Sequence, residues 1–434
     1  MIRHIPRAAL TLLVLALPVR AIDIQQVTSP EGIPAWLVED HSIPFTALSI
    51  LFRGGASMDA EGARGATVLL TSLLEEGAGT RDATAFAQAA EALGARFSFD
   101  AGDDAVTVSA RILTENRDAS ADLLHDALTL PRLDPADVER VRAQLLAVIR
   151  SEATDPQSIG AKALAAEIWG DHPYATSVNG TMDSVTALDV NELRAAKDRV
   201  LARDRLIVSA AGDVTPEALG ALIDRILADL PPAATAPLPP PAPYQGQGGV
   251  TVIDWDSPQT VVGFAAPSIP MDDPDYFPAF VLNHILGGGG FSSRLMDEIR
   301  EKRGLTYGIS TTLANQVLGE SWQGGMASAN DKVAEGVDLI RKVWDDTAKG
   351  VTETEVANAK TYLTGEYPLR FDGNGKIAGI LSGMQLMGMP RDYVNTRNPK
   401  IEAVTLEDVN RAAARLLDSD TLSFILVGRP EGLE

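Results

Sequence analysis

One segment constrains this chain before any motif does. Residues 231–243 read PPAATAPLPPPAP, seven prolines in thirteen positions, and QGQGG follows at 245–249. Proline lacks the N–H that a helix or a central strand requires, so such a run is an extended spacer. It splits the chain into a first half at 22–230 and a second at 250–434, joined by a Pro/Gly-rich linker at 231–249.

The two halves repeat one another. Val185-Thr186-Ala187-Leu188-Asp189-Val190-Asn191 matches Val404-Thr405-Leu406-Glu407-Asp408-Val409-Asn410 at an offset of 219. Thr46–Ile50 and Thr260–Phe264 are both strand-like, at an offset of 214. Offsets that agree to a few residues at both ends of a half imply duplication. At each copy of the first motif a Thr precedes an Asp by three, which predicts a capping box. Within the first half, 45–53 and 106–112 alternate as strands do, while 65–76, 83–93 and 135–152 carry helical spacing. The expected fold is α+β: two tandem, homologous sandwich domains, each an antiparallel-rich sheet backed by helices, together forming a bowl.

Composition narrows the function. The chain has 37 Lys+Arg against 59 Asp+Glu, a net charge of −22, which argues against nucleic acid as a partner. It has no Cys and five His, so thiolate metal sites and cysteine nucleophiles are excluded. Residues 1–21 read as a secretory signal: Arg3 and Arg7 open it, Ala8–Val19 is apolar, and Val19-Arg20-Ala21 ends it. Removing them leaves 34 basic residues, four His and a charge of −25, because Arg3, Arg7, Arg20 and His4 go. No later segment reaches transmembrane length. The expectation is an exported, most simply periplasmic, protein with no membrane span in the mature chain.

Three local features stand out. Gly287-Gly288-Gly289-Gly290 lies between segments predicted helical at 274–286 and 293–302; it lacks the Lys of a phosphate loop and the third glycine of a dinucleotide loop. Four consecutive glycines suit backbone that approaches or gates something closely. Arg300-Glu301-Lys302-Arg303-Gly304 then ends a charged helix, and Tyr307 opens a strand. Taken locally, Arg300 is a surface charge and Tyr307 a strand aromatic. The four His at 41, 125, 172 and 284 are all more than forty residues apart, so neither H-E-x-x-H nor H-x-x-E-H occurs.

Together these residues resemble the pitrilysin/insulysin family of inverted zinc peptidases, in its mitochondrial-processing-peptidase-like branch. Arg53-Gly54-Gly55, Gly65–Gly77, Gly170-Asp171-His172-Pro173-Tyr174, Asn179-Gly180-Thr181, the linker, Leu286-Gly287-Gly288, Ser292–Leu295 and Gly304–Tyr307 follow in the family's order. The resemblance implies that Arg300 and Tyr307 are the Arg/Tyr pair such proteins carry seven positions apart. It also implies a metal helix at 65–77. There Val68, Thr71 and Ser72 stand where His, Glu and His belong, or Leu70, Leu73 and Leu74 if the register slides by two. Glu152 falls near the distant third ligand, and one carboxylate does not make a catalytic zinc site.

The resemblance thus implies the metal-free subunit of a heteromeric exported zinc endopeptidase. Such a chain carries no cofactor itself; zinc is expected on a paralogous partner subunit, and Arg300 and Tyr307 act in trans on peptide substrates inside a closed chamber. The glycines 287–290 would belong to a substrate-binding or gating loop. The alternative is a non-catalytic scaffolding or peptide-binding protein of the same fold.

Overall fold

The structure, a computed structural model, describes residues 22–433. The segment at 1–21 expected to direct export lies outside the described residues.

The first half builds a six-stranded sheet from β1 (Gln25–Thr28), β2 (Pro34–Glu39), β3 (Phe45–Arg53), β4 (Arg96–Ala101), β5 (Ala105–Leu113) and β6 (Leu206–Gly212). Their order is β1-β2-β6-β3-β5-β4. The second half builds a five-stranded sheet from β7 (Gly249–Asp254), β8 (Gln259–Pro267), β9 (Thr306–Asn315), β10 (Glu320–Ala329) and β11 (Ser423–Gly428), in the order β9-β10-β8-β11-β7. Read from its other edge, the second order reproduces that of β2-β6-β3-β5-β4. The one parallel pair in each sheet recurs at the matching place: β2 with β6, and β7 with β11. The duplication legible in the sequence is therefore a duplication of topology.

Each sheet has one heavily apolar face. Alternation along β3 sends Leu48, Ile50 and Phe52 into a core closed by the helices of the same half. Along β8, Val262, Phe264 and Ala266 do the same, beside Trp322 and Trp344. The opposite faces mix small residues with a few larger aliphatic ones and are covered by a helix from the other half. The Pro156–Trp169 helix of the first half brings Leu164, Ile168 and Trp169 onto Ala265, Ile425 and Val427 of the second sheet. The Asn374–Leu386 helix of the second half lies across β3 and β6. There Ser382 Oγ meets Ser49 Oγ at 2.7 Å, and Gln385 Nε2 donates to Ser209 Oγ at 2.8 Å. This reciprocal exchange joins the halves. Small side chains make it possible: an added Cβ at Gly160 would stand 3.3 Å from Val427 Cγ2.

The Pro-rich linker is extended, as expected, and it is also tied down. Thr235 N–H donates to Asp198 O, Ala242 N–H to Leu318 O and Gln245 N–H to Ile168 O, so it is strapped to both halves.

Two local expectations are corrected. The capping box at 405–408 is present, with Thr405 and Asp408 bonded reciprocally. Its counterpart at 186–189 is not: Thr186 falls inside the Met182–Ala187 helix, and Asp189 itself caps the next helix by accepting from Asn191 N and Glu192 N. The glycine run is also more helical than expected. The Tyr276–Asn283 helix continues as a π-turn over His284–Gly288, and a 3₁₀ turn covers Gly290–Ser292.

Candidate functional site

Tyr307 occupies an irregular point in its strand. The β9–β10 ladder shifts register between Thr306 and Ile309. Thr306 Oγ1 donates toward the carbonyls of Gly308 and Ala327 and accepts Gly308 N–H at 3.1 Å, which stitches the bulge together. A bulge re-aims a side chain that the pleat would otherwise dictate. Tyr307 is 90% exposed, the most accessible large apolar or aromatic side chain among the described residues.

Arg300 and Tyr307 line one cleft of about 480 Å³, with Gln259, Thr306 and Lys332. Tyr307 also borders a second cleft of about 530 Å³ between the Pro156–Trp169 helix and the face of the second sheet that this helix covers. The structure thus brings the two sequence-predicted residues to a shared surface. The Arg300 guanidinium lies over the Phe291 ring at 4.6 Å and forms a close ion pair with Glu301. Phe291, just after the glycines, is 69% exposed.

The four glycines differ among themselves. A Cβ at Gly287 would stand 2.4 Å from Thr311 Oγ1, at Gly288 2.6 Å from Asn283 Nδ2, and at Gly289 2.6 Å from the His284 carbonyl. These three allow the turn to pack against its own helix and β9. Gly290 has φ +56° and open space around its Cβ position, so it turns the chain toward Phe291. His284, above them, is buried against the Tyr362 ring at 4.9 Å, and burial lowers its pKa toward the neutral imidazole.

The helix at Ala66–Leu73 is held at its start by Asp59, whose carboxylate accepts Gly65 N–H at 2.9 Å and Thr67 N–H at 3.0 Å. Burial raises the Asp59 pKa. Gly65 and Gly180 pack backbone to backbone across the 64–65 and 179–180 segments. A Cβ would stand 2.6 Å from Asn179 O at Gly65 and 2.1 Å from Arg64 O at Gly180. On this helix Ser72 is exposed and Val68 half-buried, on one stripe, with Thr71 buried beside them. Leu70, Leu73 and Leu74 are fully buried in the core. Only the first of the two registers, Val68, Thr71 and Ser72, puts side chains at an accessible surface. Thr71 Oγ1 and Ser72 Oγ both donate to the Val68 carbonyl, at 3.0 and 2.9 Å. Glu152 accepts from Asn179 Nδ2 at 2.5 Å and pairs with Lys162 at 2.8 Å. An aliphatic chain, two inward-bonded hydroxyls and a paired carboxylate do not fit a catalytic zinc.

Sequence reasoning missed a second constellation. Arg64 donates to Asp103 at 2.8 Å and to the carbonyls of Pro173 and Ser177 at 3.1 Å. Beside it the Tyr174 hydroxyl donates to Asp104 in a short bond and accepts Leu318 N–H at 3.1 Å; Asp104 accepts Val317 N–H at 3.0 Å. Asp104 and Tyr174 belong to the first half, while Val317 and Leu318 form the tip of the β9–β10 hairpin. This is a clasp between halves, and burial with the Asp104 charge raises the Tyr174 pKa far above the phenol range. His172 serves the same turn, accepting Tyr174 N–H on Nδ1 at 3.2 Å. The adjacent Asp103-Asp104 and His172-Pro173-Tyr174 were the available signals.

The comparisons with known proteins agree with this geometry. Residues 35–182 match the model described as Insulinase (Peptidase family M16), and residues 187–363 match Peptidase M16 inactive domain. The chain belongs to the M16 peptidase family. The two family matches meet ahead of the linker, so β6 falls in the second match although it completes the first sheet. A Helicobacter pylori M16 relative, described as non-peptidase homolog YmxG, is 25% identical over 95% of each chain. An uncharacterized zinc protease of Mycobacterium tuberculosis is 27% identical over 92% of each. The crystal structure of a peptidase M16 inactive domain from Pseudomonas fluorescens superposes with TM-score 0.88 at 28% identity, covering 95% of this chain and 99% of that one. The inactive-domain match and the relative described as a non-peptidase homolog support a non-catalytic member of the M16 family.

Proposed function

We propose that this chain is the metal-free subunit of a heteromeric, exported M16 endopeptidase. In this reading a paralogous partner holds the zinc, and this chain supplies Arg300 and Tyr307 across the chamber. The observation that supports it most is Tyr307: a phenol hydroxyl lifted out of its ladder by a bulge and 90% exposed beside Arg300. An exposed tyrosine at a built bulge, in a chain whose metal helix holds Val68 and Ser72, is free to meet a bound peptide. Its hydroxyl suits donation to a peptide carbonyl oxygen as negative charge develops there, and removing one such donor costs about 10²–10³ in rate. Arg300, steadied by Phe291 and Glu301, suits holding a substrate carbonyl in line. Residues 1–21 would direct export.

The test is Tyr307→Phe, assayed as a mixture with a zinc-bearing M16 chain from the same source. The expected result is a fall of about 10²–10³ in kcat with assembly intact. Unchanged turnover in an intact assembly would sink the role in trans and leave the scaffolding reading.

A further inference from the structure

The exchange of helices creates two equivalent clefts, and they differ in chemistry. The one beside Tyr307 has glutamines, small residues and no charged side chain in its lining. Its counterpart, of about 510 Å³, lies between the Asn374–Leu386 helix and the face of β3, β4 and β5 that points away from the first-half core. Arg96, Arg111 and Lys376 rim it, and Asp372 is its one carboxylate. Three cations against one acid is the reverse of a chain with 59 acidic and 37 basic residues.

Arg96 and Arg111 are directly opposite each other in the β4–β5 ladder, so their side chains leave the same face. Like charges in that position destabilise a sheet. All three cations are exposed, and among the described residues none forms an ion pair, whereas eighteen other Lys and Arg residues do. The Arg111 guanidinium lies over the Phe45 ring at 4.5 Å, which fixes its plane without neutralising it. On this face Phe45 and Ala47 are apolar and Ser49, Ser98 and Ser109 present hydroxyls, while Leu48, Phe97 and Ala110 point through the sheet to its core. A planar guanidinium held flat on Phe45 at the edge of a hydroxyl-lined cleft, with a second opposite and an ammonium across from it, suits a carboxylate.

We propose that this cleft binds the acidic side chains of a peptide, so that an Asp- or Glu-bearing segment is held in the first half. This rests on the cleft alone and does not require Arg300 or Tyr307 to act in trans. The test uses the whole isolated chain, without partner, and fluorescence anisotropy of a labelled Glu-rich decapeptide and its Gln counterpart. The Glu peptide is expected to bind and the Gln peptide to bind at least about tenfold more weakly, with affinity falling as salt rises. R96A/R111A should reduce Glu-peptide affinity at least about tenfold, while Arg194→Ala, an exposed cation elsewhere, should not. Circular dichroism checks that each variant is folded, and the charge reversal R111E repeats the test if the double variant is not. Equal binding of the two peptides, or a folded R96A/R111A or R111E that binds as well as the parent, would overturn the proposal. So would inorganic phosphate displacing the peptide at the peptide's own concentration.

Discussion

Tyr174→Phe tests how the halves are held together. The variant keeps the ring, which is 4% exposed and packed edge-on against Trp169 at 5.7 Å, and removes only the hydroxyl. Two bonds go: the donation to Asp104 and the acceptance of Leu318 N–H. A hydrogen bond to a charged group contributes about 1.5–3 kcal/mol, and an orphaned buried N–H costs about 1–3 kcal/mol. Asp104 retains Val317 N–H, which limits the loss, so about 2–4 kcal/mol is expected. That corresponds to roughly 30-fold to 10³-fold more frequent opening of the hairpin tip. Native-state hydrogen exchange at Val317 and Leu318 reads it directly, with the Trp322 amide as an internal reference. Protection of 317–318 should fall and that of Trp322 should not. Unchanged protection at the tip would refute the clasp; an equal loss at both places would show a global effect. The pH dependence has a defined sign. A folded-state pKa raised above the phenol's ~10 contributes stability that is present below pH ~10 and lost as pH rises further. That alkaline loss should be smaller in Tyr174→Phe.

Further expectations rest on the same geometry. Arg294 grips Glu355 with two bonds, of 2.6 and 2.8 Å, and holds its carboxyl down at about 2 from an ordinary 4.5. The lowered pKa gives stability above pH 4.5 that is lost as pH falls toward about 2. Arg294→Ala should flatten the acid limb of an unfolding titration, and an unaltered limb would contradict the pairing. On the Ala66–Leu73 helix and its C-cap, Ser72→His should be nearly neutral in thermal unfolding. Leu74→His, which puts an imidazole into a fully buried position, should cost about 2–5 kcal/mol. Equal tolerance of both would overturn the accessible register.

The chain's duplication was legible because it repeats short apolar and Thr/Asp patterns at offsets of 214 and 219, and the sheet order of the two halves matches. The linker was legible because proline permits little else. The helix exchange was not, because it pairs Leu164 with Val427 and Ser382 with Ser49, contacts hundreds of residues apart that leave no local pattern. Arg300 and Tyr307 stood out only through the family resemblance, and the bulge that exposes the tyrosine depends on Thr306 bonding across to β10. The glycine run read as backbone that approaches something closely, but what it approaches was not legible: Thr311, Asn283 and the His284 carbonyl stand where a Cβ of its first three members would go. Asp104 and Tyr174 lie seventy residues apart and meet only in the fold.

In the proposed assembly this chain completes a site that it does not itself contain. A turnover titration tests that most directly: a fixed amount of the zinc-bearing M16 chain, increasing amounts of this one, and an unstructured peptide substrate. Little turnover is expected from either chain alone, with a rise that saturates at one chain per partner. Full activity of the partner alone, unchanged by this chain at any ratio, would contradict it.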